Sequence, residues 1–117
     1  MAKILVVDDE PGLRLLYAAE LADEGYEVVT AENCNEAAIA LEDEQIDLVV
    51  LDIQIKQESG LDMLQRIVKE RSGLPVILCS AYNCYKDDFA SWLADAYVIK
   101  SSNLDELKKE IARLLKN

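Results

Sequence analysis

Acidic side chains follow two apolar stretches of the sequence, at the point where each stretch ends. Ile4–Val7 is followed by Asp8 and Asp9, and Leu48–Leu51 is followed by Asp52. Four apolar residues in a row are typical of a strand that is buried on both faces of a parallel sheet. Because parallel strands end at one edge of a sheet, where such folds bind ligands, the three carboxylates should meet there. The pattern predicts a site for a metal ion or a phosphate.

Two further apolar stretches end on residues that suit the same chemistry. Val76–Cys79 is followed by Ser80, and Tyr97–Ile99 is followed by Lys100. Carboxylate oxygens favour Mg²⁺, and a carboxylate can attack a phosphoryl group to form an acyl phosphate. A hydroxyl and an ammonium group can bind the phosphoryl oxygens. Each residue has an ordinary alternative as a turn residue, a helix cap or a solvated surface group, but their convergence on one edge favours function.

The elements that must position these residues alternate between strands and helices. Strands are predicted over 3–7, 26–30, 47–51, 76–79 and 97–99. Helices are predicted from apolar residues at helical spacing, namely Leu13, Leu16, Tyr17 and Leu21; Ala37, Ala38 and Leu41; Leu61, Leu64, Ile67 and Val68; Tyr85, Phe89, Trp92 and Leu93; and Leu104, Leu107, Ile111, Leu114 and Leu115. This alternation predicts an α/β fold with a parallel sheet, helices on both faces and right-handed crossovers. With 117 residues, we expect a single domain over 1–117.

Local signals suggest where the helices begin and end. Ser59 is expected to cap the third helix, and Asn103 and Glu106 have the spacing of a capping box for the last one. The acidic run 42–44 lies at the end of the second helix, where the helix dipole disfavours negative charge, and the sequence offers no reason for it. Residues 52–58 are predicted to form a loop.

The composition excludes several classes of function. The net charge of −11, from 23 acidic and 12 basic residues, argues against direct nucleic-acid binding, which needs clustered Lys and Arg. The chain has no histidine, which excludes Ser-His-Asp and Cys-His catalysis and histidine metal ligands. Three cysteines without CxxC spacing predict neither a disulfide framework nor a zinc site. With no apolar run near the roughly 18 residues of a membrane span and no expected signal peptide, we predict a cytoplasmic protein.

The ordered set of motifs resembles the receiver domain of the two-component response regulators, over the whole chain. The matching segments lie at the ends of strands or at the start of the third helix: Ile4–Pro11, Asp52, Ser59-Gly60, Ser80-Ala81 and Lys100. The resemblance implies a flavodoxin-like (βα)5 fold with a five-stranded parallel sheet in the order 2-1-3-4-5. It also implies Mg²⁺-dependent transfer of a phosphoryl group from a histidine kinase to Asp52, which switches a partner-binding surface.

The resemblance assigns the metal site and the phosphoacceptor. Asp52 is expected to accept the phosphoryl group from the phosphohistidine of the kinase. Asp9 and Asp52 are expected to bind Mg²⁺ directly, and Asp8 through a water molecule. The backbone carbonyl of Gln54 is expected to be a further ligand.

The resemblance also assigns residues that bind the phosphate, transmit its presence or affect its lifetime. Ser80 and Lys100 are expected to contact the phosphoryl oxygens. Ser80 and Tyr97 are expected to form the switch, in which the aromatic ring turns inward; the alternative for Tyr97 is a strand residue with its hydroxyl in water. Gln54 and Tyr82 are expected to affect how long the phosphate survives.

The expected partners are a sensor histidine kinase or phosphotransfer protein and a downstream protein that the sequence does not identify. We expect a monomer or weak dimer that contacts neither nucleic acid nor a membrane. The family resemblance places the output surface on the fourth helix, fifth strand and fifth helix, near Trp92, Tyr97 and Lys108. The alternative for Trp92 is packing in the core.

Two positions depart from the family pattern, in which both are usually proline: Lys56 and Ser101. A non-proline cis peptide bond costs about 2.5–4 kcal/mol, so the bond between Lys100 and Ser101 is expected to be trans. The departures leave open a degenerate receiver that binds proteins without phosphorylation. A small Mg²⁺-dependent phosphatase is a second alternative, but it would need an acid two residues after Asp52, where this chain has Gln54. A flavin-binding protein is a third, but it would need a Gly/Ser/Thr-rich loop after the first strand, where this chain has acidic residues.

Overall fold

The structure is a computed structural model that describes residues 1–43, 45–55, 58–81, 93–101 and 103–116. The strands in these ranges are Lys3–Val7 (β1), Glu27–Ala31 (β2), Ile46–Asp52 (β3), Gln54–Ile55 (β4), Glu58–Ser59 (β5), Val76–Ser80 (β6) and Ala96–Ile99 (β7). The helices are Pro11–Asp23 (α1), Cys34–Ala40 (α2), Gly60–Glu70 (α3) and Asp105–Leu115 (α4). None of the described helices is long and apolar enough to cross a lipid bilayer.

Five strands form one sheet in the order β2-β1-β3-β6-β7, and every neighbouring pair is parallel. The predicted α/β fold and the predicted strand order 2-1-3-4-5, counted over these five strands, are therefore confirmed. The predicted loop over 52–58 is wrong in part, because β4 and β5 pair as a short antiparallel hairpin. Ile53 and Ile55 are buried in this segment, and their apolar contacts hold it against the core.

The sheet divides the core into two clusters of buried side chains. Leu5 and Val7 of β1 lie in the cluster that α2 and α3 cover, whereas Ile4 and Val6 lie in the cluster that α1 and α4 cover. Because helices cover both faces, the inner strands are apolar at consecutive positions rather than at alternate ones. The same burial excludes water from the strands that carry the acidic residues.

The caps predicted for α3 and α4 can both be compared with the structure. Ser59 caps α3 as predicted, because its Oγ accepts hydrogen bonds from two N–H groups of the first turn. The capping box of Asn103 and Glu106 is wrong in detail: α4 begins at Asp105, whose N–H donates to Oδ1 of Asn103 at 2.8 Å. Of the helix predicted over 85–94, residues 85–92 lie outside the described part of the chain.

Basic side chains from other parts of the fold offset the acidic end of α2. Nη1 of Arg71 donates to the carbonyl oxygens of Leu41 and Asp43, at 3.4 and 3.3 Å. Nη2 of the same guanidinium donates to the carbonyl oxygen of Ile46 at 3.2 Å. The ammonium group of Lys3 lies 2.7 Å from the carboxylate of Asp43. The acidic run is therefore compatible with the end of the helix, because its neutralising charges come from distant segments.

The first turn of α3 packs directly against the backbone that follows β3. The N–H of Gly60 donates to the carbonyl oxygen of Ile53 at 2.6 Å. A Cβ atom at position 60 would overlap the carbonyl oxygen of Asp52 and the Cα of Ile53. Because both are backbone atoms, they cannot move aside as a flexible side chain would. Glycine is needed here to let the helix approach the chain that carries Asp52.

We predict that Gly60→Ala lowers the free energy of unfolding by about 2–3 kcal/mol, because the added methyl group forces the backbone at Asp52 to shift. Gly12→Ala is the matched control, since a Cβ at position 12 of α1 meets no atom within 4 Å. There the change should raise stability by about 0.5–1 kcal/mol, as alanine favours a helix over glycine. Urea unfolding of the three proteins measures both effects, and equal stabilities would contradict the role given to Gly60.

Candidate functional site

The predicted site residues meet at the edge where β1, β3, β6 and β7 end. Carboxylate oxygens of Asp8, Asp9 and Asp52 lie within 4.8 Å of one another. Ser80 is the last residue of β6 and is buried. Lys100 follows β7, and its backbone N–H donates to the carbonyl oxygen of Ser80 at 2.7 Å. The structure thus brings together all five polar residues that the sequence places at the strand ends.

The ammonium group of Lys100 lies between two of the carboxylates. Its Nζ atom is 2.9 Å from Oδ2 of Asp8 and 2.9 Å from Oδ2 of Asp52. The Lys100 side chain is only 14% exposed, so these contacts are shielded from solvent. A single cation therefore neutralises part of the negative charge of the three acids.

Burial and charge shift the pKa of two of these groups. Burial raises the pKa of Asp52 to about 6, the nearby charge of Asp8 adds to the rise, and the hydrogen bond and charge of Lys100 oppose it. Burial by itself would lower the pKa of Lys100, but its hydrogen bonds to Asp52 and Asp8 raise it above the ordinary value. Lys100 is therefore a permanent cation at neutral pH. Among the described residues, three clustered carboxylates face one ammonium group that contacts two of them, so the cluster favours an additional cation.

An open cavity of about 340 Å³ lies over the site. It is lined by Asp9, Glu10, Asp52, Gln54, Ser80, Ala81 and Lys100. Asp8 is 1% exposed, and its carboxylate contacts Lys100 and accepts a hydrogen bond from the N–H of Glu10 at 3.0 Å. Carboxylate oxygens are the donors that Mg²⁺ prefers, and the cavity leaves room for water or a phosphoryl group beside them. The residues present fit a hydrated Mg²⁺ ion.

Of the other residues that the sequence singles out, Gln54 and Tyr97 lie in the described part of the chain. The N–H of Gln54 donates to Oδ1 of Asp52 at 3.3 Å, which places the Gln54 backbone beside the Asp52 carboxylate. Tyr97 lies in β7, half-buried against the cluster on the side of α2 and α3. Its role in a switch stays a prediction. Tyr82 and Lys56, together with Trp92 of the predicted output surface, lie outside the described residues.

The structure shows a contact of the Lys108 side chain and the isomer of the peptide bond before Ser101. Nζ of Lys108 lies 2.8 Å from the carboxylate of Glu20 on α1, and its place on the output surface stays a prediction. The described residues contain no cis peptide bond, so the bond between Lys100 and Ser101 is trans, as predicted. The absence of proline after Lys100 therefore does not prevent the lysine from reaching the carboxylates.

Sequence reasoning missed one residue that contacts the acidic segment. Nη1 of Arg14, in the first turn of α1, donates to the backbone carbonyl oxygen of Asp8 at 2.7 Å. Glu10 lies at the N-cap position of α1 and lines the cavity. The signal available in the sequence was the short distance from the acidic pair to the helix start, which keeps residues 10 and 14 close to the end of β1.

Comparison with known proteins gives the family of this chain. The model of the response regulator receiver domain matches residues 4–112. The chain belongs to the response regulator receiver family. It is thus a receiver domain of the two-component type, and the flavodoxin-like fold implied by the sequence motifs is the fold that the structure shows.

Two solved structures of TrrA are similar to this receiver. TrrA of Thermotoga maritima in complex with Mg²⁺-BeF is 48% identical, with a TM-score of 0.94, and the match covers 98% of this chain and 100% of TrrA. TrrA in complex with the histidine kinase ThkA is 47% identical, with a TM-score of 0.92, and the match covers 99% of this chain and 100% of that one.

Curated relatives include longer proteins. The probable transcriptional regulatory protein TcrX of Mycobacterium tuberculosis is 36% identical over 115 residues, which are 97% of this chain and 49% of TcrX. The receiver therefore spans about half the length of TcrX, and only 20% of another relative, the transcriptional regulatory protein GlrR of Escherichia coli. The similarity to these proteins concerns the receiver and not their remaining segments.

We predict that Asp52→Asn changes how stability depends on pH in metal-free buffer. The pKa of Asp52 is about 6 in the folded chain against an ordinary value of 3.8, so folding favours the protonated form. This contribution to stability is complete below pH 3.8 and is lost as the pH rises through about 6. The Asn variant avoids the loss, and its Tm should exceed that of the wild type by a few degrees at about pH 7.5 but not at about pH 4.

Thermal unfolding at a series of pH values measures this difference. Asp47→Asn, at the exposed opposite end of β3, is the matched control and should not reproduce the pH-dependent gap. Tm curves of the wild type and Asp52→Asn that run parallel from about pH 4 to 7.5 would contradict the buried, repelled state of Asp52.

Proposed function

We propose that this receiver accepts a phosphoryl group on Asp52 from the phosphohistidine of a sensor histidine kinase or phosphotransfer protein. One observation carries the proposal: three carboxylates and the Lys100 ammonium group cluster at the ends of three parallel strands, beside a cavity that Asp9, Asp52 and Lys100 line. A carboxylate oxygen of Asp52 attacks phosphorus, the bond between phosphorus and the histidine nitrogen breaks, and an acyl phosphate forms. The receiver thereby promotes its own modification and does not turn over a separate substrate.

The residues around Asp52 have separate tasks in this reaction. Asp9 and Asp52 bind Mg²⁺ directly, Asp8 binds it through water, and the backbone carbonyl of Gln54 is a further ligand. When bound, Mg²⁺ neutralises negative charge on the phosphoryl oxygens and on the carboxylates. Lys100 leaves its contact with the Asp52 carboxylate and binds a phosphoryl oxygen.

Ser80 binds a second phosphoryl oxygen through its hydroxyl group. This hydroxyl is positioned at the end of β6, and Tyr97 lies two residues before the end of β7, the neighbouring strand. The proposed switch couples movement of Ser80 toward the phosphate to movement of the Tyr97 ring. It presents a changed surface to a downstream protein. Gln54 and Tyr82 affect the lifetime of the phosphate.

The similar proteins support the cofactor and the first partner. A receiver 48% identical to this one was crystallised with Mg²⁺ and BeF, and the same protein was crystallised with a histidine kinase. Residues 1–117 are proposed to act as one receiver domain in the cytoplasm. The alternative of a phosphorylation-independent binding module finds no support, because each described residue that the transfer reaction needs is present and in contact with the site.

Phosphorylation by acetyl phosphate tests the proposal without a kinase. We predict that the wild type gains one phosphoryl group in intact mass when Mg²⁺ is present, and that neither Asp52→Asn nor a metal-free sample does. Asp47→Asn, which removes an acid from the exposed end of the same strand, should gain the group as the wild type does. No mass gain in the wild type with Mg²⁺, or a gain retained by Asp52→Asn, would refute the assignment and favour the binding-only alternative.

An exposed apolar face of α1 is the proposed docking surface for the kinase. Gly12, Leu15, Ala19 and Ala22 are exposed and recur at intervals of three or four residues, so they lie on one side of the helix. Leu15 is 73% exposed, so a partner protein can cover its apolar side chain. Because α1 begins beside the acidic site, a kinase on this face could bring its phosphohistidine to Asp52.

We predict that Leu15→Glu reduces transfer from the cognate kinase by tenfold or more, roughly the effect of losing an interface anchor. Transfer from acetyl phosphate should be unchanged, because the small donor needs no docking surface. Ile39→Glu is the matched control: Ile39 is 60% exposed on α2, on the other side of the sheet. Equal loss in the two variants, or loss of transfer from both donors, would contradict docking on α1.

A further inference from the structure

We propose that Arg14 is a positioning residue that fixes the peptide between Asp8 and Asp9 and so sets the affinity of the site for Mg²⁺, an inference that rests on the proposed Mg²⁺-dependent phosphorylation of Asp52. Arg14 contacts neither the cavity nor the reacting atoms in the described residues. Its effect is exerted through the backbone of the acidic segment.

The backbone of Asp8 is held on both sides. Its N–H donates to the carbonyl oxygen of Ala31 at the end of β2, at 3.1 Å. Its carbonyl oxygen accepts a hydrogen bond from Nη1 of Arg14 at 2.7 Å, a short distance that is typical of a charged donor. The Arg14 side chain is only 19% exposed, so water competes weakly for this bond. The orientation of the peptide that leads to Asp9 is therefore restricted.

The same guanidinium also reaches the segment that follows β2. Nη2 of Arg14 lies 3.9 Å from the carboxylate of Glu32. Arginine suits this position because its planar group presents several N–H donors in fixed directions, so one nitrogen can bind the carbonyl while another faces the carboxylate. A lysine ammonium could make the first contact but would not hold the same geometry.

The direction in which Mg²⁺ affinity changes when Arg14 is removed distinguishes a positioning role from a purely electrostatic one. Removal of the Arg14 charge, which lies at the Asp8 backbone, makes this edge of the sheet more negative, which by Coulomb attraction alone would tighten the binding of Mg²⁺. Loss of the hydrogen bond to the Asp8 carbonyl frees the peptide and moves the Asp9 carboxylate away from its two neighbours, which weakens binding. Positioning and simple electrostatics therefore predict opposite changes for the same variant.

Isothermal titration calorimetry with MgCl₂ tests the proposal on the wild type, Arg14→Gln, Arg14→Lys and Arg66→Gln. We expect Arg14→Gln to weaken Mg²⁺ binding about tenfold, as loss of an outer-shell contact typically does. Arg14→Lys keeps the charge and should also bind Mg²⁺ more weakly, by a few-fold. Arg66→Gln removes the same charge from an exposed position on α3 and should leave the affinity within about twofold.

A second readout separates positioning from general damage. The rate of phosphorylation by acetyl phosphate is measured against Mg²⁺ concentration. Arg14→Gln should need more Mg²⁺ for half-maximal rate yet reach nearly the wild-type rate at saturation. If Arg14→Gln does not fold in metal-free buffer, Arg14→Lys decides the outcome by the same two measurements.

Unchanged or tighter Mg²⁺ binding by folded Arg14 variants would overturn the inference while leaving the proposed function intact. A wild type that binds no Mg²⁺ and gains no phosphoryl group would refute the proposed function, and the role of Arg14 with it. Weaker binding by Arg66→Gln to the same extent as by Arg14→Gln would also overturn the inference, because the effect would then not depend on the hydrogen bond to the Asp8 carbonyl oxygen.

Discussion

The concentration of three carboxylates at one partly buried edge of a parallel sheet is the constraint on which this structure depends. Asp8, Asp9 and Asp52 repel one another, and burial makes the ionised form of Asp52 costlier still. The fold compensates with the largely shielded ammonium group of Lys100, which follows β7, and with backbone N–H groups directed at the carboxylates. The described residues leave negative charge in excess at this edge, and the excess favours the binding of a cation.

Much of this arrangement follows from patterns within single segments. Runs such as Leu48–Leu51 identify strands covered on both faces, and a parallel sheet necessarily places the residues that follow them at one edge. The order of Asp8, Asp52, Ser80 and Lys100 along the chain therefore predicts their proximity in space. No end of the five sheet strands differs from its predicted position by more than one residue, because the apolar runs define the strands clearly.

Features that depend on distant partners were not predictable in this way. The acidic end of α2 has no local explanation, because its compensating charges, Arg71 and Lys3, come from a later helix end and from β1. The short hairpin after β3 depends on Ile55 entering the core, and a two-residue strand carries almost no periodic signal. For α4, Asn103 bonds one residue earlier than a capping box requires, a choice between two closely similar local geometries.

The need for Gly60 likewise became visible only once α3 was seen against the backbone of Asp52. A glycine at the start of a helix suggests flexibility or a turn when it is read from sequence alone. Here it allows a close approach between two segments, and the residue acts by the absence of a side chain. Such contacts join Asp52 to α3 through main-chain atoms, independently of which side chains α3 carries.

The division of the core by the sheet has a consequence for how receivers of this kind diverge. The helix proposed to meet the kinase, α1, packs on one cluster, and the helix that supports Asp52, α3, packs on the other. Substitutions on opposite faces of a sheet share few neighbours, so their effects on stability should be nearly additive. A lineage can therefore exchange one signalling partner for another by altering a single side of the molecule, while the reactive centre is inherited unchanged.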